Sequence, residues 1–202
     1  MLGATLLIAG SVTAATPTIA QPWFEFRDYP MKSFEKKEEG VTGYQLMISP
    51  DGRVASCKIT QSSGHDELDK TTCFLAAKRV KFRPAINGEG QAVWGVYRSR
   101  ASWAMPEHQL DAGPAPDLEI TLNHLPADTV EPAAVKLAYA VDLNGKPSSC
   151  TIMPNSLRQP QVLVEVGCKQ LLQSRDDRPV LGPDGQPVAA VLTGAVLFKA
   201  PH

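Results

Sequence analysis

Long apolar runs are scarce in this chain of 202 residues. Beyond the first twenty positions, none approaches the roughly 20 residues a membrane-spanning helix needs. An excess of one charge is lacking too. Against 21 Asp and Glu stand 20 Lys and Arg, for a net charge of −1. That excludes the bulk basic field of a general nucleic-acid binder. The sequence has no phosphate-binding loop, dinucleotide fingerprint, G-x-S-x-G elbow or H-E-x-x-H pair. None of its four cysteines forms a C-x-x-C pair, which argues against a zinc site and against an activated redox couple. His108, His124 and His202 fall in linker, loop and terminus without a partner cluster. No cofactor, metal or catalytic group is expected, and the chain reads as a non-enzyme.

What is present is the composition of a folded globular protein, 43% apolar and 20% charged. Residues 1–20 carry no charge, with an apolar stretch from Leu2 to Ala9 and small residues at Ala14, Ala15 and Ala20. They read as a secretory signal peptide cleaved after Ala15 or after Ala20. The alternative is an uncleaved anchor, but Pro17 and the Thr and Ser residues shorten the apolar run. Four cysteines in an exported chain imply two disulfides, with three pairings open.

A turn at Asp51-Gly52, with alternating apolar residues on both sides, marks a hairpin of strands Gly43–Ser49 and Val54–Gln61. Acidic residues at Asp66-Glu67 and Asp69 mark a helix start. Cys73, Ala76, Ala77 and Val80 form one apolar helical stripe. Phe82-Arg-Pro-Ala85 ends the helix, and Val93–Trp103 is the third strand. Asp111-Ala-Gly-Pro-Ala-Pro-Asp117 marks a linker.

The second half repeats the first. A shift of 93 takes Cys57 to Cys150, Gly52 to Gly145 and Ile59 to Ile152. A shift of 95 takes Cys73 to Cys168, Pro84 to Pro179, Gly90 to Gly185 and Val93 to Val188. The repeat selects Cys57–Cys73 and Cys150–Cys168 as the disulfides, each tying a strand to the helix that follows. The expected fold is α+β: two tandem ββαβ modules, each a helix on a short antiparallel sheet. The divisions are 1–20 signal peptide, 21–106 first module, 107–117 linker and 118–202 second, divergent module. The last strand of the second module is apolar on both faces, so both should be covered.

Some residues invite a chemical reading. Ser62, Ser63, His65 and Asp66 are neighbours, but triads are assembled by the fold and not by adjacency, so a capped strand-to-helix turn is expected. Glu35, Glu38 and Glu39 alternate with Lys36 and Lys37, as on a solvated face. Lys78, Arg79, Lys81 and Arg83 complement the helix dipole. The functional alternative for that run is a contact with peptidoglycan or an acidic partner.

Tyr29-Pro30, Asp51-Gly-Arg-Val54, Ile59-Thr-Gln-Ser-Ser-Gly64, Leu68-Asp69 and Phe82-Arg-Pro-Ala85 resemble, in order, the carboxy-terminal domain of TonB-like energy transducers. The resemblance covers about Asp28 to Trp103. Leu118 to Phe198 shares it more weakly, and the paired cysteines resemble a disulfide-bearing subset. It implies a periplasmic domain of a Gram-negative-type bacterium that takes up extended segments of outer-membrane receptors by strand addition, with peptidoglycan as a further contact. It places the recruiting strand at Val93–Trp103, with Val93, Trp94, Val96, Tyr97, Arg98 and Arg100 as partner-binding residues on an exposed edge. The chain has no long Pro-rich spacer and two domains in tandem. The alternative is a periplasmic scaffold whose modules pair with each other and take no part in transport.

Overall fold

The computed structural model describes residues 11–19, 23–110, 116–154, 156–175 and 178–201. The whole apolar stretch of the expected signal peptide, 2–9, and the centre of the expected linker, 111–115, lie outside these residues. The elements run β1 (Thr16–Pro17), a 3-10 turn (Phe26–Asp28), α1 (Met31–Glu35), β2 (Gly40–Ile48), β3 (Val54–Gln61) and α2 (Asp66–Arg79). Next come β4 (Phe82–Arg83), β5 (Ala85–Ile86), β6 (Ala92–Trp103), β7 (Leu118–Thr121) and β8 (Ala134–Val141). The chain ends through β9 (Pro147–Ile152), α3 (Gln161–Ser174), β10 (Val180–Leu181), β11 (Pro187–Val188) and β12 (Ala190–Lys199). The fold is mixed α+β.

Both hairpins turn on a glycine in the left-handed region, Gly52 at φ 82° and Gly145 at φ 83°. In each case a side chain would also run into backbone, that of Phe82 or of Arg178 and Pro179. Glycine is required there on both counts.

The two halves do not stand apart as two short sheets. Their strands join one sheet in the order β3-β2-β6-β12-β8-β9, with β5 beside β6 and β7 beside β12. β2 runs antiparallel to β3 and β6, and β8 antiparallel to β9 and β12. At the centre β6 and β12 are parallel, with Trp94, Gly95 and Val96 opposite Ala190, Val191 and Leu192.

This parallel seam puts the helices on opposite faces. Along β2, Tyr44, Leu46 and Ile48 enter the core that holds Ala76 and Val80, whereas Met47, pointing the other way, enters the core of Leu163, Val164 and Leu171 of α3. On β12, Ala190 and Leu192 face α3, and Val191 joins the α2 side. Each half thus covers the back of the other's sheet. The α3 face of β12 is buried from Ala190 to Phe198. On its other face Val191 is buried and Thr193, Ala195 and Leu197 are half-buried, so the expected double cover is complete only near the seam.

The disulfides are Cys57–Cys73 and Cys150–Cys168, with Cα atoms 5.5 and 5.8 Å apart. The inward stripe of α2 differs from the expected one. Leu68, Asp69, Thr72, Leu75 and Ala76 are buried, while Ala77 is exposed and Cys73 lies half-buried at the flank. The helix is rotated because Cys73 has to reach sideways to Cys57 and because polar Asp69 and Thr72 have partners inside.

Candidate functional site

The six residues expected to recruit a partner all lie on β6, and the structure changes what they can do. Val93 pairs with Ala85 of β5, and Trp94 and Val96 stand opposite β12. From Trp94 to Val96 the strand is interior to the sheet, not an open edge, because β12 occupies the place an incoming strand would take. Val96 is buried against the α3 side, with Trp94 packed beside it. Tyr97 faces the other way, its ring 5.1 Å from Phe82 and 5.7 Å from Trp23. Its role is in the core.

Past Val96, β12 leaves β6 and pairs with β7 instead. Asp117 stands in this fork. Its N–H donates to the Ala195 carbonyl at 2.8 Å, and its Oδ2 accepts from the Ala195 N–H at 2.8 Å. Its Oδ1 meets Arg98 Nη1 at 2.7 Å, and Arg98 Nε donates to Gln45 Oε1 at 3.0 Å. Arg100 Nη2 donates to Gln61 Oε1 at 3.0 Å. The two arginines therefore bind neighbouring strands of the protein itself, and Asp117 pins the two halves where their strands diverge. Nothing in the linker composition signals that role, because the pairing of Asp117 with Ala195 exists only once the halves meet.

The Ser62–Asp66 cluster is assembled as a turn. The Ser63 hydroxyl donates to Asp69 Oδ1 at 2.8 Å and accepts from the His65 N–H at 3.2 Å. The His65 ring instead points to Glu38, 3.8 Å away. Asp69 is the organiser here, because its Oδ1 also accepts from the Ser63 N–H and from Thr42 Oγ1, both at 2.9 Å. Burial pushes this carboxyl up, but the hydrogen bonds from Ser62, Ser63 and Thr42 outweigh it and hold the group below the usual carboxylate range.

The acidic run before β2 is more engaged than a solvated face. Glu39 accepts from the Met105 N–H at 2.5 Å and meets His108 Nδ1 at 2.7 Å. These two contacts hold Glu39 low, and Glu39 in turn holds the His108 imidazole above its ordinary value. Among the cations after α2, Arg79 forks onto both oxygens of Asp28 and the Trp23 carbonyl, while Lys78 lies over the Phe74 ring. A polar hollow of about 480 Å³ opens between α1 and the start of α2, lined by Lys32, Lys36, Glu38, His65 and Asp66. Its charges are mixed, and no nucleophile is placed beside a base. Among the described residues no group of three or more His, Cys, Asp and Glu could hold a metal ion, and no helix is long and apolar enough to cross a membrane.

Residues 27–103 match the family of the Gram-negative bacterial TonB protein C-terminal. The match runs from the 3-10 turn to the last residue of β6. Residues 104–202 lie outside it. No curated protein matches the chain. The TonB C-terminal type of domain is non-enzymatic and periplasmic, and two disulfides fit an oxidising compartment.

Proposed function

We propose that this chain is a non-enzymatic periplasmic module of the TonB C-terminal type that binds extended segments of other envelope proteins at a sheet edge. The observation that carries the reading is the match over residues 27–103, which spans the complete hairpin, helix and closing strand. Residues 118–202 are the second, divergent copy of a tandem ββαβ pair, exported behind a signal peptide at 1–20. Support for the tandem reading comes from α3, which begins and ends 95 positions after α2, and from equivalent placement of both disulfides.

The partner is an extended protein segment, with those of outer-membrane receptors first in line and peptidoglycan as a further contact. Because β12 lies on β6, the outer strand β3 is the edge of the first copy that an incoming strand would join. The opposite outer strand, β9, begins at Pro147, which offers no N–H, and is distorted at Ser149 with φ 43°, which makes it a poorer template. Titration of the full chain with receptor-derived peptides, read by amide hydrogen exchange, tests this. Slowed exchange along Val54–Gln61 is expected. Absence of binding by any such peptide overturns it.

The seam between β6 and β12 favours a second reading, a scaffold with self-paired modules and no transport role. In that version the second copy permanently supplies the strand that a partner supplies elsewhere. Full protection of β6, β12 and also β3 in the isolated monomer would select it.

A further inference from the structure

The segment Ser11–Ile19 is laid as an added strand along the edge that follows α2. Thr13 and Ile86 exchange both backbone hydrogen bonds, each 2.9 Å. Thr16 and Pro17 stand antiparallel to Arg83 and Phe82. At the end of the run, the Thr18 N–H and Oγ1 both donate to the Lys81 carbonyl, at 2.8 and 3.0 Å. Side chains follow the backbone inward. Val12, Ala14 and Ala15 are 3%, 5% and 3% exposed and join the core of Tyr44, Ile48, Phe82 and Ala85, while Ser11 and Thr13 face outward.

One contact sets the size of what this edge accepts. A Cβ on Gly95 would come within 2.6 Å of the Ala15 Cβ. The absence of a side chain at Gly95 makes the hollow that Ala15 fills, and a larger group than Ala has no room. The equivalent position in the second half, 95 residues on, is Ala190, whose own methyl is buried in the sheet. Leu181, the counterpart of Ile86, is 56% exposed. The acceptor geometry belongs to the first half.

We propose that the Lys81–Ile86 edge and the Gly95 hollow form an acceptor site for an uncharged, extended protein segment with small side chains, filled within this chain by Val12–Thr18 and opened to such a segment of a partner protein when Val12–Thr18 is displaced or removed. Backbone hydrogen bonds supply the affinity, as in strand addition generally, and the hollow supplies the selection for a small residue. Cleavage after Ala15 would remove Val12–Ala15, the buried part of the occupant, and cleavage after Ala20 all of it. While attached, Val12–Thr18 competes at a high effective concentration and masks the site. The site is separate from β3, so its test stands or falls independently of the reading above.

The test uses the full chain carrying Ala15→Arg, which expels its own segment, and a fluorescent peptide of the sequence Ser11–Ile19. The variant is expected to bind the peptide saturably. The unsubstituted chain should bind about tenfold more weakly or worse, because its own segment holds most of the sites closed. A peptide with Leu or Arg in place of Ala15 should bind the variant at least about tenfold more weakly than the parent peptide does. Exchange of the Ile86 amide should quicken in Ala15→Arg and slow again on adding the peptide. A folded Ala15→Arg protein that takes up no peptide, or whose Ile86 amide exchanges at the unsubstituted rate, overturns the proposal. Thr13→Pro, which removes the N–H donor to Ile86 without entering the core, serves as the second variant with the same expected and overturning outcomes.

Discussion

Asp69 joins three parts of the first half, the β2 strand through Thr42, the Ser63 turn and the first turn of α2. Its value comes from what its loss would leave behind. In Asp69→Ala the fully buried Thr42 hydroxyl and the Ser63 N–H would both lose their acceptor. A buried polar group left without a partner costs about 1–3 kcal/mol. Urea denaturation should therefore show an unfolding free energy lowered by about that amount, seen as a lower midpoint with an unchanged slope. The folded carboxyl titrates below its unfolded value of about 3.9, so its contribution is present above about pH 4 and is lost as the pH falls through the folded value. The difference between the parent protein and Asp69→Ala should shrink in acid accordingly. The sequence shows an acidic residue at a helix start. That it points inward depends on the strand that supplies Thr42, 27 positions earlier.

Between elements, the fold is held by ties whose sequence signals differ in strength. The disulfides join each hairpin's second strand to the next helix across separations of 16 and 18 residues. Closing loops of that length stabilises a fold by roughly 3 kcal/mol each in the chain-entropy model. Regular spacing in two halves makes those ties legible from sequence alone. The tie from Glu39, at the head of β2, to Met105 and His108 beyond β6 is not legible, because it joins two stretches that read as solvated loop and linker. It is also pH-dependent. The raised His108 value means that its contribution is complete below the unfolded imidazole value of about 6.5 and fades as the pH rises through the folded value. Glu39 acts with the opposite sign and loses its contribution only as the pH falls through its lowered value. His108→Gln should thus lower the denaturation midpoint at about pH 6 and approach the parent in mildly alkaline buffer. A pH-independent difference would show that the imidazole charge has no part in the tie.

At the scale of the molecule, the parallel seam of β6 and β12 turns two small units into one sheet with a shared interior. Coupled unfolding follows. All three tryptophans, Trp23, Trp94 and Trp103, are in the first half, so their fluorescence reports that half. Leu137 on β8 is fully buried on the α3 side. Leu137→Ala should cost about 2–5 kcal/mol. The tryptophan transition should shift with helix content in one cooperative step. A tryptophan transition that stays in place would mean that the halves unfold independently.

Turns, the bounds of β3 and the disulfide partners were legible in the sequence because each rests on short-range chemistry, whereas β2 begins at Gly40, three residues before its expected start. Gly52 and Gly145 occupy backbone conformations that other residues resist, β3 keeps its expected bounds of Val54–Gln61, and α2 begins at Asp66 as its acidic start requires. The inward face of α2 was less legible, since two of its buried residues are polar and only their distant partners make burial tolerable. The seam was not legible at all. A strand with Trp94, Val96 and Tyr97 reads equally well as an edge waiting for a partner or as an interior strand, because alternation records that both faces are apolar and is silent about what lies beside the backbone. Local pattern and spacing suffice to specify two hairpin-and-helix units, each tied by a disulfide. That β12 pairs with β6 at Trp94–Val96, that Asp117 pins the fork where they part, and that Val12–Thr18 fills the hollow at Gly95 emerge on folding, because each depends on backbone groups brought together from distant parts of the chain.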